Sequence, residues 1–346
     1  MPTLDFVQNA LCAALHLGSA TLIVALKPGP WADYNRQIGS GPWEHTCCVN
    51  STYNATVLDC ATTAKYFYSV GTGGTIPVLA LTVLFAAWSG LGHLVNCAYL
   101  HRQEQQMVWT ASAYDAYHSF RLIVRGLDYA LSSAIMLLVI NVLFGAVSNN
   151  GVILAPMLQG LVIFFGAAAQ YHLDFNTGTV FWKYVSPAIA VALYGWAWTY
   201  TFKALADADE APKFLIFVLI IIFAVFSSFA VVYFWQWYVG GKIDYREFLM
   251  NTLSAIAKLL LHAFVAISLF QQANMLHTSP PPLGMQCAPN EVQSDAEDLA
   301  TAGKATAGIV CGVVVLNALA YWKYTPVTRP NTVGNTQKLL VATDSI

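Results

Sequence analysis

The chain has 346 residues, 57% of them hydrophobic and 10% charged, with a net charge of −2. A soluble domain carries about 25% charged residues and a nucleic-acid binder shows a basic face; sixteen basic and eighteen acidic residues fit neither. Length alone suggests two soluble domains, but long charge-free runs and a mean hydropathy of +0.55 replace them with one multi-span membrane domain, embedded in lipid and without nucleic acid as a partner.

A span needs about 20 mostly apolar residues. Eight stretches qualify: residues 4–26, 77–100, 122–147, 152–172, 180–202, 214–239, 248–270 and 305–322. The first has Asp5 before its apolar run and no basic segment, so it reads as a span rather than a signal peptide. Between spans one and two, residues 27–76 form a long loop with Cys47, Cys48 and Cys60 and with N-x-S/T sequons at Asn50 and Asn54. After span seven, residues 273–304 hold Cys287 and the run Pro280-Pro281-Pro282. Parity puts both loops on one side, and disulfides and glycans belong to an extracytoplasmic space. The N-terminus is then cytoplasmic, as is the tail 323–346. Four loop cysteines allow three pairings, and the sequence does not choose among them or against free thiols. Arg102, Arg121, Lys242, Arg246, Lys323, Arg329 and Lys338 fall on the cytoplasmic side, in weak agreement.

Charges inside a bilayer are costly and mark function. Asp128 is the acidic residue well inside an apolar span, and Lys258 is the basic residue near the middle of one. Lys258 lies ten residues past Phe248, about 15 Å into the membrane at the helical rise. Arg125 is nearer the cytoplasmic end of span three, where it snorkels. A buried amine shifts toward its neutral, nucleophilic form, which attacks carbonyls to give Schiff bases. A charged Schiff base needs a buried anion, and Asp128 is the candidate. The alternative is a structural Lys–Asp pair that locks two helices, a costly device in lipid.

The residues around this pair resemble the heliorhodopsins. Ser254-x-x-x-Lys258-x-Leu260-Leu261 resembles their retinal-attachment helix. Arg125-x-x-Asp128-Tyr129-x-x-Ser132-Ser133-x-Ile135-Met136 resembles their Arg-x-x-Glu-Tyr counterion helix. His16 and His93 match paired histidines of a hydrated cavity, and Gln236-Trp237-Tyr238 with Lys242, Asp244, Tyr245 and Arg246 matches the approach to span seven. The long first loop and cytoplasmic N-terminus are family traits too. Asp128 departs from the usual Glu, and the eighth span, with Gly308-x-x-x-Gly312 for close helix approach, is not a usual feature.

The resemblance implies an all-α, seven-helix rhodopsin-like bundle over residues 1–272, with an additional helix at 305–322. It implies all-trans retinal on Lys258 as a protonated Schiff base, Asp128 as counterion, the Ser254 hydroxyl within reach, and His16 and His93 as proton-accepting groups. It also implies a homodimer. The polyene needs an apolar slot with flat walls. Tyr129, Ser132, Ser133 and Met136 share one face of span three; Phe223, Phe226, Phe229 and Tyr233 recur on span six; Trp196 and Trp198 are candidates on span five. Helix packing is the competing reading for each aromatic.

Outward proton pumps of the type-1 class carry a second Asp four residues before the lysine and an acid eleven after the counterion. Here those positions are Ser254 and Val139. The leading function is therefore a light-sensing photoreceptor that signals by conformational change to a cytoplasmic partner. The alternative is a light-gated proton or ion channel, wetted by Asn96, Ser132, Ser133 and Asn141. An enzyme is not expected, since no catalytic domain, nucleotide loop or metal cluster is visible in the sequence.

Overall fold

Apolar runs of this length satisfy their backbone polar groups internally only as helices. The computed structural model describes residues 3–26, 35–37, 43–47, 64–68, 75–104, 110–143, 150–206, 213–239, 243–277, 304 and 308–320. Among them run α1 (Leu4–Leu26), α2 (Val78–Glu104), α3 (Ala111–Leu143), α4 (Ala155–Asp174), α5 (Ser186–Ala206), α6 (Lys213–Val239), α7 (Ile243–His277) and a shorter α8 (Gly308–Ala320). The long first loop carries four short strands: β1 (Asn35–Gln37), β2 (Trp43–Cys47), β3 (Ala64–Tyr68) and β4 (Thr75–Pro77). They nest, β2 pairing antiparallel with β3 (His45 opposite Tyr66) inside β1 with β4 (Arg36 opposite Ile76). β4 runs directly into α2, so the ladder rises from one end of the bundle.

Consecutive helices pack side by side from α1 to α5, α6 packs on α7, and α7 returns to α1, closing a ring. The α5–α6 seam is made by side chains. Tyr194 and Ser227 hydroxyls lie 3.0 Å apart, and the Trp198 ring stands 5.1 Å from Phe223 and 5.8 Å from Phe226.

The bundle buries polar groups beside an apolar core and turns large apolar side chains outward. Gln8, Asn9, His16, Ser89, Asn141 and Glu247 are buried, whereas Leu22, Leu91, Leu127, Met157 and Val231 are exposed. The outer face inverts that of a soluble protein and suits lipid as the solvent. Among the described residues, six helices (α1 to α4, α6 and α7) are long and apolar enough to cross a membrane. α5 has 21 residues, about 31 Å at the helical rise, but Thr199, Thr201 and Lys203 dilute its apolar character. The chain is an all-α, multi-pass integral membrane protein.

Two spans begin well before the residues the sequence implied. α3 begins at Ala111 rather than 122, and α7 at Ile243 rather than 248. The added first turns of α3 look polar in sequence, yet Tyr114, Tyr117, His118 and Arg121 on them are buried. The α4–α5 connection turns through Asn176 (φ 51°) and Gly178 (φ 79°). A Cβ at Gly178 would stand 2.5 Å from His172 Nδ1, so both backbone and space require glycine.

α8 has Val313, Asn317 and Ala320 on its buried face. Asn317 Oδ1 accepts a hydrogen bond from Gln8 Nε2 at 3.0 Å, and Gln8 also donates to the Phe248 carbonyl at 2.9 Å. One carboxamide of α1 thus ties α8 to α7. Gly308 and Gly312 do not serve this packing, since a Cβ at either would meet nothing within 4 Å. Interhelical hydrogen bonds in membranes contribute about 0.6 kcal/mol on average. Asn317→Leu is therefore expected to speed hydrogen exchange of the α8 amides severalfold and leave α2 and α3 unchanged.

Cys12, Cys97 and Cys311 carry free thiols. The side chain of Cys47 and residues Asn50, Asn54, Cys48, Cys60 and Cys287 lie outside the described residues. So do Lys242 and the side chains of Gln236, Trp237, Tyr238 and Asp244.

Candidate functional site

Small residues let α7 present a long side chain to the bundle interior. Ala255 and Ala257 are buried beside Lys258, which is 3% exposed. Lys258 Nζ donates to Asp128 Oδ2 at 2.9 Å and to Ser89 Oγ at 2.6 Å. Ser89 Oγ in turn donates to Asp128 Oδ1 at 2.6 Å, so both carboxylate oxygens are engaged. The amine also stands 4.9 Å from the centroid of the Tyr129 ring. Next to Ser89, Gly90 lets α2 approach α1 closely. A Cβ there would lie 2.6 Å from Leu17 Cγ on α1.

The hydroxyl bonded to Lys258 belongs to Ser89, which the sequence analysis did not single out. Its signal was weak: four residues before His93, one turn away on the same helix face. Ser254 is buried but is not a partner of Lys258. Tyr129 donates its hydroxyl to the Met250 carbonyl at 3.1 Å.

His16 and His93 stack with ring centroids 5.6 Å apart. His93 Nδ1 lies 2.8 Å from Asn9 Oδ1, an acceptor, which assigns the ring proton to Nδ1. Neither His16 nitrogen has a hydrogen-bond partner among the described residues, nor do His93 Nε2 and Ser132 Oγ. Buried polar atoms are normally satisfied. This group of orphans therefore fits ordered water or a bound group beside the Lys258–Asp128 pair.

Aromatic walls stand nearby. The Tyr129 ring meets Phe229 edge-on at 5.8 Å, and Met136 is buried on the same helix. Phe226 packs on Trp198, and the Tyr233 hydroxyl is buried without a partner among the described residues. Ser133 makes only a 3.5 Å contact to the Ala130 carbonyl of its own helix. Trp196 does not line the interior: it is 56% exposed and bonds Tyr200 on its own helix, while Trp198 is 1% exposed. Residues two apart on a helix differ by about 200°, so only one of the two faces inward.

A second cluster lies at the end of the bundle where α1, α3 and α7 begin and α4 ends. Arg125 does not snorkel; it bonds Glu247 directly and donates to Gln170 Oε1 at 2.6 Å. Gln170 Nε2 donates to Glu247 Oε1 at 3.1 Å. Arg121 reaches Asp5 at 3.1 Å and Glu247 at 3.6 Å. Arg246 grips Asp174 with two bonds, 2.9 and 2.5 Å, and meets Glu247 at 3.0 Å. His118 links Arg121 to Asp174 through its two ring nitrogens, 2.9 and 3.0 Å. Arg121, Arg125 and Arg246 thus face Asp5, Asp174 and Glu247, all buried except the partly exposed Asp174. Glu247 lies one residue before the apolar run of span seven, which is why Asp128 alone stood out in the sequence.

The arrangement holds a buried charged pair beside orphan polar atoms and aromatic walls. Among curated proteins, none matches the chain. The Heliorhodopsin family description matches residues 7–269, which include Lys258, Asp128, His16 and His93. The chain therefore belongs to the heliorhodopsin family of retinal-binding rhodopsins.

Proposed function

We propose that the protein is a light-sensing photoreceptor with all-trans retinal on Lys258 as a protonated Schiff base and Asp128 as its counterion. The observation that carries this reading is the buried 2.9 Å contact between Lys258 Nζ and Asp128 Oδ2. Retinal, when bound, supplies a cationic imine at the Lys258 nitrogen and a light-driven change of shape. Asp128, held by Ser89, supplies the fixed negative charge. In this reading Tyr129, Ser132, Ser133, Met136, Phe226 and Tyr233 wall the polyene, Ser254 lies one turn from the attachment point, and His16 and His93 receive a proton.

A sensor is favoured over a channel by the cluster around Glu247. A cation crossing the bundle would pass Arg121, Arg125 and Arg246, each locked to a carboxylate. That is a steric seal of closed ion pairs at one end. Breaking it by movement of α7, which carries both Lys258 and Glu247, is a natural output toward a cytoplasmic partner. The N-terminus and the Glu247 end are cytoplasmic in this reading. The long first loop is extracellular, with its cysteines and sequons, and the protein is a homodimer.

The test is reconstitution of the purified full chain with all-trans retinal. A visible absorption band is expected, and Asp128→Asn should shift or bleach it. A blank spectrum from folded protein overturns the reading. A robust light-dependent current in voltage-clamped cells would replace the sensor with the channel.

A further inference from the structure

Three histidines surround Lys258, and one has a property the other two lack. His262 lies one helical turn beyond Lys258 on α7 and is 2% exposed. Its Nε2 lies 3.1 Å from the carbonyl oxygen of Thr82 on α2. Its Nδ1 lies 2.8 Å from Ser19 Oγ on α1, and the Phe85 ring packs over it at 4.7 Å. A carbonyl only accepts, so Nε2 carries a proton whatever the ring's charge.

The Ser19 hydroxyl decides the rest. It lies 2.8 Å from His262 Nδ1 and also 2.9 Å from the carbonyl oxygen of His16. With a neutral ring, Ser19 donates its O–H to Nδ1. With a charged ring, Nδ1–H donates to Ser19 Oγ, and Ser19 turns its O–H to the His16 carbonyl. Both charge states are fully bonded, and only one hydroxyl hydrogen rotates. His93 has no such arrangement, because its Nε2 has no partner among the described residues, and His16 has none at either nitrogen. A second proton on those rings meets no acceptor among the described residues.

We propose that His262, with Ser19 and Thr82, is a proton-holding site on the first-loop side of Lys258. In the step it serves, the N–H bond at Lys258 Nζ breaks and an N–H bond forms at His262 Nδ1. Asp128 stays a carboxylate, and the positive charge moves one turn along α7 toward the end where the long first loop attaches. Among the described residues, Lys258 on its own helix and His16 on α1 interact electrostatically with His262. Thr82 and Phe85 face it from α2 without charge. Two positive charges a turn apart repel in a medium of low dielectric. The Lys258 nitrogen and His262 are therefore alternative seats for one proton. The role in light rests on the retinal reading; the site itself does not.

The test is nitrogen NMR of histidine-labelled full chain in lipid nanodiscs, first without retinal. Acidification is expected to add the second proton at His262 Nδ1 with the α1–α7 contact intact. Ser19→Ala removes the hydroxyl that accepts from the charged ring and should lower the proton affinity of His262 about tenfold, the scale of one hydrogen bond to a charged group. A second proton that reaches His16 or His93 before His262 on acidification, or no change in Ser19→Ala, overturns the proposal. With retinal bound, illumination should produce the doubly protonated His262 signal in wild type and reduce it in Ser19→Ala. A ring that stays singly protonated in the light also overturns it. Failure of the retinal reading is distinct: it appears as a missing absorption band and leaves the retinal-free titration in place.

Discussion

Lys258→Ala is expected to abolish the visible absorption band of the retinal-treated protein. The substitution removes a buried amine that has a carboxylate at 2.9 Å. It also has a stability consequence that separates a binding defect from a folding defect. With the ammonium gone, Asp128 keeps only Ser89 as a partner and becomes an uncompensated buried carboxylate. Breaking one side of a buried ion pair costs about 3–5 kcal/mol. The double variant Lys258→Ala/Asp128→Asn removes both charges and should recover most of that loss, still without a band. If Lys258→Ala folds and keeps a wild-type band, retinal is attached elsewhere and the central assignment fails. Unfolding titrations in detergent check the stability arm, and spectra of the same samples check the other.

The Lys258–Asp128 pair was legible in the sequence for a physical reason. Charges within uninterrupted apolar runs are rare because lipid makes them costly, so two residues stood out without any structure. The spans were legible for the same reason, as runs without charge. What the sequence concealed were polar residues whose meaning depends on what faces them. Ser89 is an ordinary serine until α2 packs against α3. His262 sits four residues after Lys258, a spacing that could have drawn notice, but its value comes from Ser19 and Thr82 on two other helices. Trp196 and Trp198 look equivalent in the chain and differ only in which way the helix turns them. The cluster of arginines escaped because an apolar-run criterion ends a span at its first polar residues. Tyr114, His118, Arg121 and Glu247 fall just outside the runs, yet the helices continue through them and bury them. The nested strands of the first loop are three to five residues long, too short to show an alternating pattern.

Glu247→Ala is the second substitution with a large expected effect, and its logic is that of a shared anion. Glu247 receives contacts from Arg121, Arg125 and Arg246 and from Gln170, drawing together α3, α4 and its own α7. Removing it leaves three buried guanidiniums facing two carboxylates, Asp5 and the partly exposed Asp174. The expected loss is again about 3–5 kcal/mol, because an excess buried charge costs more than any single bond contributes. Glu247→Gln keeps the shape and loses the charge, so it should fall nearly as far. If it were wild-type in stability, packing rather than charge would hold the cluster. Glu247→Gln combined with Arg125→Met restores the balance of two cations and two anions and should regain stability. The position of the cluster, several turns from Lys258 along α7, means that the dark absorption band should survive in these variants. Their light response is the more informative measurement. If the closed ion pairs seal the bundle sterically, the charge-balanced Glu247→Gln/Arg125→Met variant should pass a light-dependent current that wild type does not, whereas the excess positive charge of Glu247→Ala should still repel cations. An unchanged absence of current would place the barrier elsewhere, in the packed apolar layers rather than in the ion pairs.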